Sequence, residues 1–219
     1  MKEAEKRKIG AVVAAAGLSS RMGEFKPLLP FDGATVIGRC VANLRAAGAA
    51  EIVVVTGYRG DEISETLRGS GVRCVHNPDY ANTQMYDSLC LGLRALSEDC
   101  SVILLTPGDV PLVRPETIRA LLEVRGGFAC PVCNGRRGHP AALDAAYRGA
   151  LQDYGGEGGL RGAVGALHIP VTEVEVNDEG MHLDLDTPED YAESLRLLEV
   201  EKTAMPSSPS GPYPFRREP

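Results

Sequence analysis

Short apolar segments and amphipathic segments alternate along the first half of the chain. The apolar segments are rich in Val and Ile and lack strict two-residue alternation, which is typical of strands buried on both faces of a parallel sheet. They span residues 9–15, 52–56, 72–76 and 102–106. The amphipathic segments have helical spacing and span 35–47, 61–67, 84–96 and 115–124. This alternation predicts an α/β fold with a Rossmann-like three-layer α/β/α architecture around an open, mostly parallel sheet.

The second half of the chain is less regular. We predict a strand and a Gly/Arg loop within 126–140, a helix over 160–167, a strand over 171–176 and a last helix over 188–201. Thr187 is in position to be the N-cap of that last helix. From residue 203 onward Pro, Ser and Gly dominate, and such a segment buries too little apolar area to offset its ordering entropy. We therefore expect a single domain over 1–202 and a disordered tail over 203–219.

The charge balance and the start of the chain exclude some classes of function. The 23 Lys and Arg residues against 30 Asp and Glu residues give a net charge of −7, which argues against a broad nucleic-acid surface. No apolar run approaches the roughly 20 residues that a membrane helix needs. The charged N-terminus leads directly into a strand and does not resemble a signal peptide. We expect a cytoplasmic protein that binds neither nucleic acid nor a membrane.

The 6 cysteines are scattered through apolar segments, which favours reduced, buried thiols over a disulfide framework. Cys130 and Cys133 have the spacing of a CxxC motif, and His139 follows six residues after Cys133. A structural zinc site needs a fourth ligand at matched spacing, and the sequence has none nearby. We interpret the pair as core-facing thiols in preference to a metal or redox site.

The first predicted strand runs into a loop with the composition of an anion site. Small residues at the strand end let the backbone approach a ligand closely, and loop N–H groups can face anions. Arg21 can fork onto phosphate oxygens, and Lys26 supplies a mobile point charge. The loop therefore predicts a polyphosphate cradle, although it matches neither the P-loop nor the GxGxxG pattern. The alternative is a solvated glycine loop with two surface cations.

Acidic residues follow another predicted strand and precede the last predicted helix. Asp109 lies just past the strand over 102–106, and Asp184 and Asp186 come directly before the helix over 188–201. Mg²⁺ favours one or two carboxylates together with substrate phosphates, so these residues are candidate ligands. A carboxylate before a helix can also cap it. We expect one of Asp184 and Asp186 to cap the helix and the other to bind metal.

Four segments of the sequence together resemble the MobA-like nucleotidyltransferases. Residues 14–30, AAAGLSSRMGEFKPLLP, are similar to the signature (L/A)-A-(A/G)-G-x-x-x-R-M-G-x-x-K of that family. GDVPLV at 108–113, NGRRGHP at 134–140 and DLDTPED at 184–190 follow in the expected order. The A-A-G and G-R-R-G-H-P segments are most similar to the molybdenum-cofactor cytidylyltransferases. The resemblance implies the fold of the nucleotide-diphospho-sugar transferases.

The same resemblance implies roles for individual residues. Arg21 and Lys26 would bind the triphosphate, and Asp109 would hold Mg²⁺ with Asp186 or Asp184 as its partner. The acceptor-side loop would contribute Arg136, Arg137 and His139, while the alternative for His139 is a plain surface residue. The residues that would contact the nucleotide lie in four segments: Ala15, Ala16, Gly17 and Leu18; Asn77; Ser88; and Gly108.

The sequence departs from the family pattern at three positions. Gln84 replaces a glycine in the segment that begins at Asn77, Val110 replaces a glutamine, and Cys133 replaces a more usual tyrosine. We expect Val110 and Cys133 to lie near the acceptor. The departure at Val110 leaves a different acceptor, a sugar phosphate or phosphocholine, open as an alternative.

The resemblance implies an enzyme that transfers CMP from CTP to the phosphate of molybdenum cofactor and releases pyrophosphate, with Mg²⁺ as cofactor. The acceptor phosphate would attack the α-phosphorus in line. The expected partners are CTP or another NTP, and molybdenum cofactor, with a molybdoenzyme or its chaperone as a further candidate. One alternative is an NTP transferase that acts on a sugar phosphate or phosphocholine. Another is a non-catalytic chaperone that binds molybdenum cofactor.

Overall fold

The computed structural model describes residues 7–19 and 22–204, and the predicted alternation of strands and helices is present in the first half of the chain. The strands are β1 (Ile9–Ala15), β2 (Pro30–Phe31), β3 (Ala34–Thr35), β4 (Glu51–Thr56), β5 (Arg73–His76), β6 (Val102–Pro107), β7 (Phe128–Cys133), β8 (Arg136–Arg137), β9 (Ala141–Asp144) and β10 (Val171–Glu175). The helices are α1 (Val36–Ala46), α2 (Gly60–Thr66), α3 (Met85–Ala95), α4 (Pro115–Leu122), α5 (Arg148–Asp153), α6 (Gly159–Ala166) and α7 (Pro188–Ala204).

One eight-stranded sheet organises the described part of the chain. Its order is β10-β7-β9-β6-β1-β4-β5, with β8 paired to β7. β1 pairs in parallel with both β4 and β6, and β9 pairs antiparallel with β6 and β7. The expected open, mostly parallel sheet is therefore confirmed. Because β1, β4 and β6 run in the same direction, their carboxyl ends meet at one edge, where open α/β sheets bind ligands.

Helices cover both faces of the sheet and produce the expected three layers. Val12 and Val13 on β1 are fully buried in two different cores, since successive side chains of a strand point to opposite faces. Helices α1, α2 and α4 pack on the face of Val13, and α3, α5 and α6 pack on the face of Val12. Gly92 lets α3 approach the sheet closely, because a Cβ there would lie 2.2 Å from Cγ1 of Val12.

Helix α7 lies outside the three layers and packs on the loops around the sheet edge. Leu198 of α7 shares a third apolar cluster with Met22, Phe31 and Leu185. The structure describes α7 as far as Ala204, two residues beyond the predicted end of the domain at 202. The rest of the predicted tail, 205–219, is outside the described residues. No helix in the described part of the chain is both long and apolar enough to span a membrane.

The start of α7 corrects one expectation. Thr187 is the N-cap as predicted: its Oγ1 accepts a hydrogen bond from the backbone N–H of Asp190 at 3.2 Å. The Asp190 carboxylate in turn accepts a hydrogen bond from the backbone N–H of Thr187 at 2.8 Å. This reciprocal pair is a capping box. Neither Asp184 nor Asp186 caps the helix, so the expectation that one of them does was wrong.

Candidate active site

A cleft of about 220 Å³ opens at the carboxyl ends of β1 and β6. Its floor consists of the small residues predicted to contact a nucleotide, with Gly108 opposite them. Gly108 donates its backbone N–H to the carbonyl of Ala14 at 2.9 Å. A Cβ on Gly108 would lie 3.0 Å from Ile37 and 3.1 Å from Ala15, so a side chain there would crowd the floor. The residues of this floor are Ala14, Ala15, Ala16, Gly17, Pro107 and Gly108.

A buried lysine lies between two carboxylates at one side of the cleft. Lys26 is only 8% exposed, and its Nζ is 2.5 Å from Oδ1 of Asp186 and 3.4 Å from Oδ2 of Asp109. Three side chains that are distant in sequence thus meet beside the cleft, as the motifs predicted. The arrangement also shows that this position stabilises a positive charge.

Asp184 adds a third carboxyl group to this neighbourhood. Desolvation, together with the negative charges of Asp109 and Asp186, raises the pKa of Asp184 to about 6. The backbone N–H of Leu185 donates to the carbonyl of Asp109 at 3.3 Å, which ties this segment to the loop after β6. Mg²⁺ favours one or two carboxylates together with substrate phosphates, and Asp109 with Asp186 or Asp184 fits that donor set.

Two polar side chains, the buried Asn43 and the partly buried Ser19, hold the loops that carry these groups. The Asn43 side chain in α1 donates to the carbonyls of Pro111 and Val113, each at 2.9 Å, and so fixes the loop that follows Asp109. Oγ of Ser19 accepts a hydrogen bond from the backbone N–H of Lys26 at 3.3 Å. Met22 packs into the cluster under α7.

Arg21 lies outside the described residues, so its predicted role stays a prediction.

A hydrogen-bonded network forms another wall of the cleft. Nδ2 of Asn77 donates to Oγ1 of Thr83 at 2.9 Å and to Oγ of Ser88 at 3.3 Å. Ser88 lines the cleft directly, whereas Asn77 lies behind it and orients Thr83 and Ser88. Tyr80 and Thr83 also line the cleft. Neither residue was predicted from the sequence to contact a ligand, although their loop follows β5 at the same edge of the sheet as the other loops of the cleft.

A second, larger cavity of about 590 Å³ shares Gln84 and Met85 with the cleft. It lies on the side of the sheet that α3 and α6 cover. Its lining is mostly apolar. Its polar side chains include Arg137 on β8, His139 in the loop that follows, and Arg161 on α6. The lining includes Tyr86, Phe128, Cys130, Arg137, Gly138, His139, Ala141, Leu160, Arg161, Val164 and Val171.

The predicted acceptor loop divides between the two faces of the sheet. Asn134 and Gly135 have positive φ values of 52° and 71°, which makes a tight hairpin between β7 and β8. Arg136 and Arg137 are successive residues on β8, so their side chains point to opposite faces. Arg137 lines the cavity and is paired with Glu173, while Arg136 does not line it. The structure therefore brings Arg137 and His139, but not Arg136, to the cavity, and the predicted role of Arg136 stays a prediction.

His139 is a partly buried cavity residue, so the reading of it as a plain surface residue is wrong. Its Nδ1 is buried and has no hydrogen-bond partner among the described residues. Burial lowers the pKa of His139 below its ordinary value of 6.5, and the carboxylate of Asp109 opposes that shift. The imidazole is therefore neutral at pH 7 and available for a hydrogen bond with a ligand.

Leu18, Val110 and Cys133 lie away from the cleft and the cavity. Val110 and Cys133 are both 3% exposed and pack in the core on the other face of the sheet, so neither side chain lines the cleft or the cavity. Their predicted place near the acceptor stays a prediction. Leu18 is 50% exposed and lines a separate groove beside Phe25. Cys130 and Cys133 belong to different cores, which excludes a shared metal site and confirms two free, core-facing thiols.

A cleft over the parallel strand ends, with a cation between carboxylates and an adjoining cavity, is the arrangement of a nucleotide-dependent transferase. Comparison with known proteins agrees. Residues 11–171 match the MobA-like NTP transferase domain, and the chain belongs to that family. The expected family is thereby confirmed, and with it a nucleotidyltransferase.

Individual relatives support the same assignment. The chain is 31% identical to the molybdenum cofactor cytidylyltransferase of Escherichia coli K12 over 185 residues, which cover 84% of this chain and 93% of that protein. A nucleotidyl transferase structure from Methanothermobacter superposes with a TM-score of 0.77 at 31% identity, covering 89% of this chain and 99% of that one. A manganese complex of Rv0371c from Mycobacterium tuberculosis superposes with a TM-score of 0.73 at 27% identity, covering 87% and 98%.

Proposed function

We propose that this protein transfers CMP from CTP to the phosphate of molybdenum cofactor, with Mg²⁺ as cofactor and pyrophosphate as the second product. The observation that carries the proposal is the contact of Lys26 with Asp109 and Asp186 beside a cleft that shares two lining residues with a large, mostly apolar cavity. The cleft has the charges that a nucleoside triphosphate and its metal require. The cavity has room for the ring system of an acceptor.

The charged groups of the cleft divide the work between the leaving group and the metal. Lys26, with Arg21 from the same loop, would neutralise the pyrophosphate as the bond to the α-phosphorus breaks. Asp109 and Asp186 would hold Mg²⁺, with Asp184 beside them. The manganese complex of the related Rv0371c supports a divalent cation in this family. When bound, Mg²⁺ supplies charge neutralisation on the phosphate oxygens.

The small residues at the end of β1 would select the nucleotide. Ala15, Ala16 and Gly17 line the cleft and offer backbone groups to the nucleoside, and Ser88 would bind the base or the ribose. Ala16 stands where guanylyltransferases of the family usually have glycine. Its methyl group narrows the space beside the base, which favours a pyrimidine. We therefore expect CTP to be preferred over GTP.

No general base is required for the transfer. A phosphate monoester has a second pKa of about 6 and is mostly a dianion at pH 7, so the acceptor is already a nucleophile. The protein's task is then to hold the two phosphates in line and to stabilise the charge that develops. His139 and the apolar cavity walls would hold the ring part of the acceptor.

Pyrophosphate release tests the proposal. We would measure it with each of CTP, GTP, ATP and UTP, against molybdenum cofactor, a sugar 1-phosphate and phosphocholine as acceptors. The proposal expects the highest kcat/KM for CTP with molybdenum cofactor. A kcat/KM for GTP equal to that for CTP would overturn the nucleotide choice. Turnover with only a sugar phosphate or phosphocholine would overturn the acceptor.

The same assay distinguishes an enzyme from a carrier. A chaperone would bind molybdenum cofactor without releasing pyrophosphate from any nucleotide. The paired Lys26, Asp109 and Asp186 argue for the enzyme, because a pure carrier has no use for a metal and pyrophosphate site. Tight cofactor binding without pyrophosphate release would therefore contradict the proposal.

A further inference from the structure

The acceptor brings a charge problem to the cleft, and this inference rests on the proposed function. A phosphate monoester carries a charge of roughly −1.5 to −2 at pH 7. It has to approach a triphosphate in a neighbourhood that contains the carboxyl groups of Asp109, Asp184 and Asp186. A positive group on the acceptor's own side would offset this repulsion.

Most positive groups near the cavity are already compensated or lie elsewhere. Nε and Nη2 of Arg137 are 2.6 Å and 2.5 Å from Oε1 of Glu173, so a carboxylate balances that charge. Arg136 is on the other face of β8. Lys26 is held by two carboxylates on the nucleotide side. His139 is neutral at pH 7.

Arg161 is different, because it lines the cavity without a carboxylate partner. It is exposed, and no hydrogen bond or ion pair joins its side chain to any other described residue. It is the third residue of α6, whose first turn contains no acidic residue. A cation in the first turn opposes the helix dipole, so Arg161 does not stabilise its own helix.

The position of α6 brings Arg161 close to the junction of the two sites. A Cβ on Gly159, the first residue of α6, would lie 3.7 Å from the Cβ of Tyr86. Tyr86 directly follows Gln84 and Met85, the residues that the cleft and the cavity share. Helix α6 therefore begins beside the residues that line both the cleft and the cavity.

We infer that Arg161 binds the phosphate group of the acceptor, while its uncharged ring lies against the apolar walls of the cavity. The guanidinium can donate two parallel hydrogen bonds to phosphate oxygens. The ligand class is a ring-bearing phosphate monoester, and Arg161 selects for its dianionic end. Phe128, Leu160 and Val164 supply the apolar surface for the ring.

Steady-state kinetics with Arg161→Ala, Arg161→Lys and Arg94→Ala tests this inference. We expect Arg161→Ala to raise the KM for molybdenum cofactor by about 10- to 100-fold and to leave the KM for CTP unchanged, since one charged hydrogen-bond partner is lost. Arg161→Lys keeps the charge and should recover part of the loss. Arg94→Ala removes an exposed arginine of α3 that does not line the cavity, and should change neither constant.

A binding measurement makes the test independent of the acceptor's identity. Inorganic phosphate is titrated calorimetrically into protein saturated with a non-hydrolysable CTP analogue and Mg²⁺. We expect the Kd for phosphate to rise at least about tenfold in Arg161→Ala and to stay constant in Arg94→Ala. An unchanged phosphate Kd in Arg161→Ala would overturn the inference. Weakened phosphate binding without turnover of molybdenum cofactor by the wild-type protein would instead contradict the proposed function alone.

Discussion

The cleft and the cavity adjoin each other but arrange their polar groups in opposite ways. In the cleft, the buried charge of Lys26 is matched by Asp109 and Asp186 before any ligand arrives. In the cavity, the walls are mostly apolar, and neither Nδ1 of His139 nor the guanidinium of Arg161 has a partner among the residues that the structure describes. The cleft therefore contains charges that are already paired, whereas the cavity contains polar groups that are free to bind a ligand.

This difference indicates a division of work between the two regions. Charges that are held in place before the reaction stabilise a transition state without reorganisation, whichever acceptor is used. An apolar cavity with a few unmatched polar groups selects a ligand by its shape and its hydrogen bonds. Substitutions in the cleft should therefore lower kcat, whereas substitutions in the cavity should change only the constants of the acceptor.

The largest effect is expected from Asp109→Asn. Removal of this charge weakens metal binding and the stabilisation of the phosphates, so kcat should fall by about 100-fold or more. The melting temperature should change little, because the loss of the contact with Lys26 is offset by weaker repulsion from Asp184. Kinetics at saturating Mg²⁺ and a thermal melt measure both. Near-full activity of the variant would remove Asp109 from the metal site.

Lys26→Met should be the next most damaging change. It removes the cation that would neutralise the leaving group, so kcat and kcat/KM should fall together by about 10- to 100-fold. Lys202→Met is the matched control, because Nζ of Lys202 is 2.9 Å from Asp32 and 3.1 Å from Glu199 on α7, outside the cleft. Equal kinetics in the two variants would mean that Lys26 has only a structural role.

Much of the fold could be predicted because local patterns and tertiary structure agree. The apolar run over 9–15 coincides with β1, and Thr187 caps α7 as its side chain suggested. β9 was missed because its four residues, Ala141–Asp144, carry little strand propensity. It forms by antiparallel pairing with β6, which is distant in sequence, and with β7, from which β8 separates it. Such pairing leaves no signal in the local sequence.

The candidate site was predictable only where one residue type implied one chemistry. Lys26 and Asp109 lie in loops that follow the parallel strands β1 and β6, whose carboxyl ends share one edge. Asp186 reaches Lys26 from the segment before α7, which is tied to the loop after β6 by the hydrogen bond from Leu185 to Asp109. For Arg136 and Arg137, strand alternation could have shown that only one faces the cavity. No local sequence pattern marked Arg161 as a cavity residue. Its position in the cavity depends on the packing of α6 against α3, and its lack of a partner among the described residues is visible only in the structure. The buried positions of Val110 and Cys133 also follow from packing alone.

A cavity substitution, His139→Ala, should have a smaller and more selective effect than either cleft substitution. We expect the KM for the acceptor to rise about tenfold, with kcat and the KM for CTP nearly unchanged, because one hydrogen bond to the acceptor is lost. His182→Ala is the control, since Nε2 of His182 contacts the carbonyl of Arg136 at 3.0 Å instead of the cavity. If His139→Ala left the acceptor KM at its wild-type value, His139 would have no place in the acceptor site.

The smallest expected effect is on the pH dependence of stability. Burial lowers the pKa of His139 in the folded protein, so the unfolded chain takes up a proton at a higher pH than the folded one does. The free energy of unfolding should therefore fall as the pH drops below about 6.5, the ordinary value for histidine. His139→Gln cannot titrate and should lose less stability between pH 7.5 and 5.5, as measured by urea unfolding. The carboxyl groups titrate in both proteins and so largely cancel in the difference between them. Identical slopes in the two proteins would show that the imidazole is not desolvated, and the cavity would then lack the neutral histidine on which its contrast with the charged cleft partly depends.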